Sequence, residues 1–169
     1  MAFRCFAYGS NMLTAKMRRA APSAKSVAVG QIQGHVLRFN KVSQADGSGK
    51  GNIIATGNAD DTVWGVIFKI GDQDRAELDR SEGGYAPTEI RVTAAGERVC
   101  LLTYVAKPDR IDDSLRPYTW YKEFVVSGAR EHGLPSDYIA QLAAVEAVAD
   151  PDLSRDTNER ALLPDRPGK

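Results

Sequence analysis

A chain of 169 residues is the size of one compact domain with enough material for a core. Apolar residues make up 43% and charged residues 26%, which excludes a disordered chain, a fibrous repeat and a disulfide scaffold. Lysine plus arginine balances aspartate plus glutamate at 22 each, so no global field favours nucleic acid or an anionic membrane, and small-molecule work is the expectation.

The first ten residues carry no long apolar stretch and no basic region ahead of one, so no signal peptide is expected. No apolar run approaches the roughly 18 residues that cross a bilayer, and the protein is expected in the cytoplasm. Residues 3–8 read as a short buried strand stopped by Gly9-Ser10-Asn11. Residues 12–20 have helical composition and end in Lys16, Arg18 and Arg19, cations that complement the negative end of a helix dipole. Residues 26–40 suggest strand, with Gly30 and Gly34 marking bends or bulges. Residues 44–52 are rich in Gly, Ser and Asp and predict a mobile surface loop.

Residues 53–56 and 63–70 are β-rich runs separated by Gly57-Asn58-Ala59-Asp60-Asp61, which predicts a hairpin between them. Residues 72–81 read as a helix opening on an acidic residue and broken by Glu82-Gly83-Gly84. A second hairpin is predicted from residues 85–94 and 98–105 around Ala95-Gly96. Residues 117–132 carry a stronger helix signal, and Pro135 opens another helix through Tyr138, Ile139, Leu142 and Val145. Strands dominate the first two thirds and a helical pair follows, which is α+β by layer logic. Residues 150–169 hold nine charges and three prolines, and predict a poorly ordered polar tail, or an arm on a neighbour, after a domain spanning 1–149. Cys5 and Cys100 each sit in an apolar run and are expected as two reduced core thiols.

Few residues offer chemistry. Two histidines far apart and no cysteine pair give no metal-ligand spacing, so no metal or other cofactor is expected. His35 and His132 fall at a strand end and a helix end, and no Gly-x-Ser-x-Gly elbow occurs. Residues 47–51 resemble a phosphate cradle superficially, but the spacing of a P-loop is missing. Two places remain. At Tyr8-Gly9-Ser10-Asn11 a strand hands over to a helix, and backbone N–H groups without intrahelical partners converge on one spot suited to a carboxylate or a developing oxyanion. Glu82 is a lone carboxylate between a helix end and a double glycine, a position that surface glutamates commonly take.

Phe6-Ala7-Tyr8-Gly9-Ser10-Asn11-Met12, then Leu78-Asp79-Arg80-Ser81-Glu82-Gly83, then Tyr121-Lys122 with Gly128-Ala129-Arg130-Glu131-His132-Gly133-Leu134-Pro135 and Tyr138, resemble the γ-glutamylcyclotransferase family in order and spacing. The similarity runs from about residue 3 to residue 146 and includes Val63-Trp64-Gly65-Val66, which resembles the family's central strand. The resemblance implies a small mixed β-barrel flanked by short helices, and conversion of a γ-glutamyl amide into 5-oxoproline and a free amine. Carried over residue by residue, it implies Glu82 as the catalytic acid and base, and Tyr8, Gly9, Ser10, Asn11, Met12, Leu13 and Tyr121 as the γ-glutamyl-binding residues. Tyr85 and Tyr104 are further candidates for the pocket wall, although a strand aromatic is more often core.

The resemblance implies a small-molecule γ-glutamyl substrate and, by analogy, a homodimer. The leaving group stays open among amino acids, glutathione, amines and a biosynthetic intermediate. The Gly-Ala-x-Glu-x-Gly-Leu-Pro block favours γ-glutamyl-amino acids. The short Gly83-Gly84 link, where related chains carry a longer insertion, leaves the leaving-group side undefined. A module that binds a γ-glutamyl or other carboxylate ligand without turning it over is the competing expectation. For turnover near neutral pH, Glu82 needs a pKa raised by partial burial.

Overall fold

The computed structural model describes residues 1–165, which form a closed five-stranded barrel, a separate two-stranded sheet and five helices. The strands are β1 (Ala2–Ala7), β2 (Lys25–Gln33), β3 (His35–Val42), β4 (Gly49–Ala55), β5 (Thr62–Gly71), β6 (Tyr85–Ala94) and β7 (Glu97–Ala106). The helices are α1 (Thr14–Ala20), α2 (Arg75–Ser81), α3 (Thr119–Glu131), α4 (Ser136–Ala144) and α5 (Leu153–Arg160). The barrel runs β1-β5-β2-β6-β7 and is closed by a parallel bridge between Cys5 of β1 and Leu102 of β7, its other pairings being antiparallel.

Both faces of the central strands are covered, which explains why they read as continuous apolar runs rather than alternating ones. Successive side chains on a strand point to opposite faces. On β1, Phe6 joins Ile32, Val63, Ile67, Val92 and Leu101 in one apolar cluster. Its neighbours Cys5 and Ala7 join Val66, Phe68 and Ile70 of β5 in a second, against Leu78 of α2 and Phe124, Val125 and Ala129 of α3. Gly128 of α3 meets the backbone after β1 so closely that a Cβ there would lie 2.4 Å from the Leu13 nitrogen. This contact seats α3 under the loop that carries Gly9, Ser10 and Asn11.

Three local expectations differ from the structure. Residues 44–52 are no mobile loop: Ser48, Gly49, Gly51 and Asn52 are buried, and β4 begins inside the segment. Its glycines permit close approach, since a Cβ on Gly49 would lie 2.0 Å from the Phe39 carbonyl oxygen. β4 pairs with β3 rather than forming a hairpin with β5, which instead pairs with β1 and β2. The irregularity in β2 lies between Ser26 and Ala28 rather than at Gly30, where a Cβ would press on Val92, while Gly34, with positive φ, makes the expected bend between β2 and β3. The β6–β7 hairpin agrees: Ala95 and Gly96 both have positive φ, the type I′ signature that matches the twist of the strands they join.

The polar tail is folded as far as it is described. Residues 166–169 of the predicted tail lie outside the described residues. Asp152 caps α5 by accepting from the Arg155 N–H at 3.0 Å. Asp150 is 3% exposed, accepts from Trp120 Nε1 at 2.8 Å and receives the Arg155 guanidinium at 2.6 and 2.7 Å. Arg160 reaches Glu123 and Thr119 of α3. Hydropathy could not announce α5, because it buries no residue of its own and docks through polar contacts.

Candidate active site

A cavity of about 320 Å³ opens where β1 ends, at the small end of the usual range for ligand pockets. β1 delivers Tyr8 and Gly9 to its wall, and a single 3-10 turn, Ser10–Met12, adds Ser10 and Asn11. The turn's first internal bond runs from the Met12 N–H to the Gly9 carbonyl, so the amides before it have no carbonyl inside the turn to donate to. From the opposite side α2 ends at Ser81, and Glu82 follows as its C-cap. Asn11 Nδ2 donates to Glu82 Oε1 at 2.6 Å, which joins two blocks 71 residues apart in sequence.

Glu82 is partly buried on the cavity wall rather than out in solvent. Burial raises its pKa above the usual carboxylate value; Lys16, the Asn11 hydrogen bond and Lys41 pull the other way, and Asp79 adds to the rise. Burial also lowers the pKa of Lys16 and of Lys41, with the Glu82 charge opposing in both cases. Glu82 is the C-cap of α2, and the turn it opens is braced from β3. Lys41, 5% exposed, donates from Nζ to the Gly83 carbonyl at 2.6 Å and lies 4.6 Å from the centre of the Tyr85 ring.

The aromatic wall comes from α3, β6 and β7. The Tyr121 hydroxyl accepts from the Gly51 N–H at 2.9 Å, and the Tyr85 hydroxyl donates to the Gly51 carbonyl at 2.7 Å. Burial raises the pKa of Tyr121, while the Gly51 N–H and Ser10 act in the other direction. Tyr8 donates to the Tyr104 carbonyl, and the Tyr104 hydroxyl donates to Asp79. Both Tyr85 and Tyr104 line the cavity, so the two strand aromatics held in reserve belong to its wall.

Of the sequence-predicted residues, Tyr8, Gly9, Ser10, Asn11, Glu82 and Tyr121 meet in this cavity. Met12 and Leu13 do not line it: both are buried in the core under the turn, Met12 fully, against Gly128 of α3. Sequence reasoning missed Lys16, Lys41 and Lys50, all on the cavity wall, together with Arg155 and Glu159 of α5. Lys16 and Arg19 stood in the sequence as cations at a helix end, yet they face the cavity from α1. No linear signal separates such a lysine from a solvated one. Cys100 is exposed, contrary to expectation, because it sits on the outward face of β7, whereas Cys5 is buried. Among the described residues no group of three or more His, Cys, Asp and Glu side chains is placed to hold a metal, and no helix is long and apolar enough to cross a membrane.

Comparison with known proteins agrees with this architecture. Residues 62–142 match the AIG2-like family. The γ-glutamylcyclotransferases of Bos taurus and Homo sapiens are each 33% identical to the chain over 153 residues, spanning 85% of this chain and 79% of theirs. A solved structure of a γ-glutamyl cyclotransferase matches with a TM-score of 0.80 at 28% identity, covering 94% of this chain and 99% of that one. The barrel, its flanking helices and the cavity at the exit of β1 define an α+β enzyme with the γ-glutamylcyclotransferase fold. The chain belongs to the γ-glutamylcyclotransferase family.

Proposed function

We propose that this protein cyclises a γ-glutamyl amide: the substrate's α-amine attacks its own side-chain carbonyl, and 5-oxoproline and a free amine leave. The observation that carries the proposal is the hydrogen bond from Asn11 of the Tyr-Gly-Ser-Asn loop to Glu82 inside one small cavity. Nucleophile and electrophile share one molecule, and well-oriented attack of this kind reaches effective molarities on the order of 10⁵ to 10⁸ M. The remaining work is to fold the glutamyl chain and to move protons.

The α-nitrogen, bound as ammonium, gives up two protons as the lactam forms, and the amide nitrogen takes two as its C–N bond breaks and it departs as ammonium. One carboxyl group that ends as it began balances this transfer, and Glu82 would be that group. Burial raises its pKa above the usual carboxylate value, the direction required of a group that takes a proton and then returns it. Tyr8, Gly9, Ser10, Asn11 and Tyr121 would form the wall that folds the glutamyl chain. Met12 and Leu13 would support that wall from beneath.

γ-Glutamyl-amino acids are the favoured substrates, and a cytoplasmic location and a homodimer belong to the same proposal. Purified protein is incubated with γ-glutamyl-amino acids, glutathione and γ-glutamyl amines, and 5-oxoproline is followed by mass spectrometry. Product from the amino-acid derivatives is expected. Calorimetric binding without product from any compound would favour a binding module instead. Light scattering tests the dimer.

A further inference from the structure

Five cationic side chains line the cavity, and four of them are engaged by the protein itself. Arg19 pairs with Glu159 at 3.0 Å, Lys50 with Asp46 at 2.9 Å and Arg155 with Asp150 at 2.6 Å, while Lys41 holds the Gly83 carbonyl. Lys50 is further enclosed by aromatic faces, 4.4 Å from the Trp120 ring centre and 4.6 Å from that of Tyr121. Lys16 is the exception. Among the described residues its ammonium has no hydrogen-bond or ion-pair partner, although the side chain is half-buried against the cavity. Of the charged groups that act on it, Glu82 is the strongest, ahead of Arg19 and Glu159. A partly desolvated cation with three unused donors, lining the same cavity as the carboxylate proposed to take a proton from an amine, is half of a recognition site.

We infer that Lys16 binds the α-carboxylate of the γ-glutamyl group and so determines specificity for glutamyl over other γ-amino acyl amides; this rests on the cyclotransferase reading above. The α-carbon of such a substrate carries an ammonium and a carboxylate side by side. Binding both requires an acid and a cation in one cavity, which Glu82 and Lys16 supply. With the carboxylate held at Lys16, the α-nitrogen is directed at Glu82. The loop at Gly9, Ser10 and Asn11 is then left to face the side-chain carbonyl that the nitrogen attacks.

The experiment compares the wild type with Lys16→Met and Lys16→Arg on three amides at a pH where the rate is level. They are γ-glutamyl-alanine, γ-glutamyl-ethylamide, whose leaving group has no carboxylate, and 4-aminobutyryl-alanine, which lacks only the α-carboxylate. A charge-assisted contact of this kind predicts a fall in kcat/KM of roughly 10- to 100-fold for Lys16→Met on both γ-glutamyl substrates. Little change is expected on 4-aminobutyryl-alanine, and Lys16→Arg should recover part of the loss. By calorimetry, 5-oxoproline should bind Lys16→Met more weakly by a similar factor, while 2-pyrrolidinone, which lacks the carboxylate, binds both proteins alike.

Undiminished preference for γ-glutamyl-alanine over 4-aminobutyryl-alanine in Lys16→Met would overturn the assignment. So would a loss confined to γ-glutamyl-alanine and absent with the ethylamide, which would place Lys16 at the leaving group's carboxylate. A wild type that makes no 5-oxoproline from any amide would instead count against the proposed reaction, with the calorimetry still deciding whether Lys16 holds a carboxylate.

Discussion

At Glu82 burial favours the neutral acid, while Lys16, Asn11 and Lys41 favour the carboxylate, and burial outweighs them. A base that must be ionised to accept a proton loses activity as pH falls through its pKa, so the acidic limb of kcat/KM should lie above the usual carboxylate range. Asn11→Leu removes one group that stabilises the carboxylate, and Lys16, Lys41 and Asp79 remain around it. The pKa of Glu82 should therefore rise further, and a pH–rate profile should show the acidic limb displaced to higher pH. An unmoved or lowered limb would mean that another group titrates there. At this scale the sequence was informative where chemistry comes as a block: Tyr8, Gly9, Ser10 and Asn11 and the segment ending at Glu82 could be read as partners. Lys16 could not, because its place on the cavity wall depends on how α1 lies against the barrel rather than on its neighbours in the chain.

Among the elements, α5 departs most from expectation, and the cause is the nature of its docking. A helix that buries an apolar stripe shows a period in the sequence, but one held by Asp150, Arg155 and Arg160 shows only charge. Arg155 and Trp120 hold the Asp150 carboxyl down at about 2, with the Arg155 hydrogen bonds the largest cause. Its depressed pKa means that this contribution to docking is present above the unfolded value near 3.8 and is lost as pH falls from there toward 2. Asp150→Ala should release α5 at any pH, since it removes the acceptor for both Trp120 and Arg155. Limited trypsin digestion should then cut after Arg155 and Arg160 faster than in the wild type, and equal rates would show that α5 is held by other contacts. Because Arg155 and Glu159 line the cavity, the same variant should also bind substrate less well.

For the whole molecule, the barrel sets the two cysteines apart. Cys5 sits at the parallel bridge that closes it, and burial pushes its thiol up to about 12, so almost none is thiolate at neutral pH. Cys100 is exposed. A thiol reagent should label Cys100 rapidly and Cys5 only at the rate at which α2 and α3 open away from β1, and two rapid equivalents would contradict that packing. The α+β class and the β6–β7 hairpin were legible because their signals are local. The pairing of β4 with β3 and of β5 with β1 was not, since it is fixed by which faces both strands must bury.

The central chemical claim is tested by Glu82→Gln, which keeps the side chain's shape and removes its capacity to carry a proton. Single-turnover formation of 5-oxoproline from γ-glutamyl-alanine should fall by at least about 10²- to 10⁴-fold, with the melting temperature and the calorimetric affinity for 5-oxoproline close to wild type. Formation at the wild-type rate would show that the proton travels by a different group.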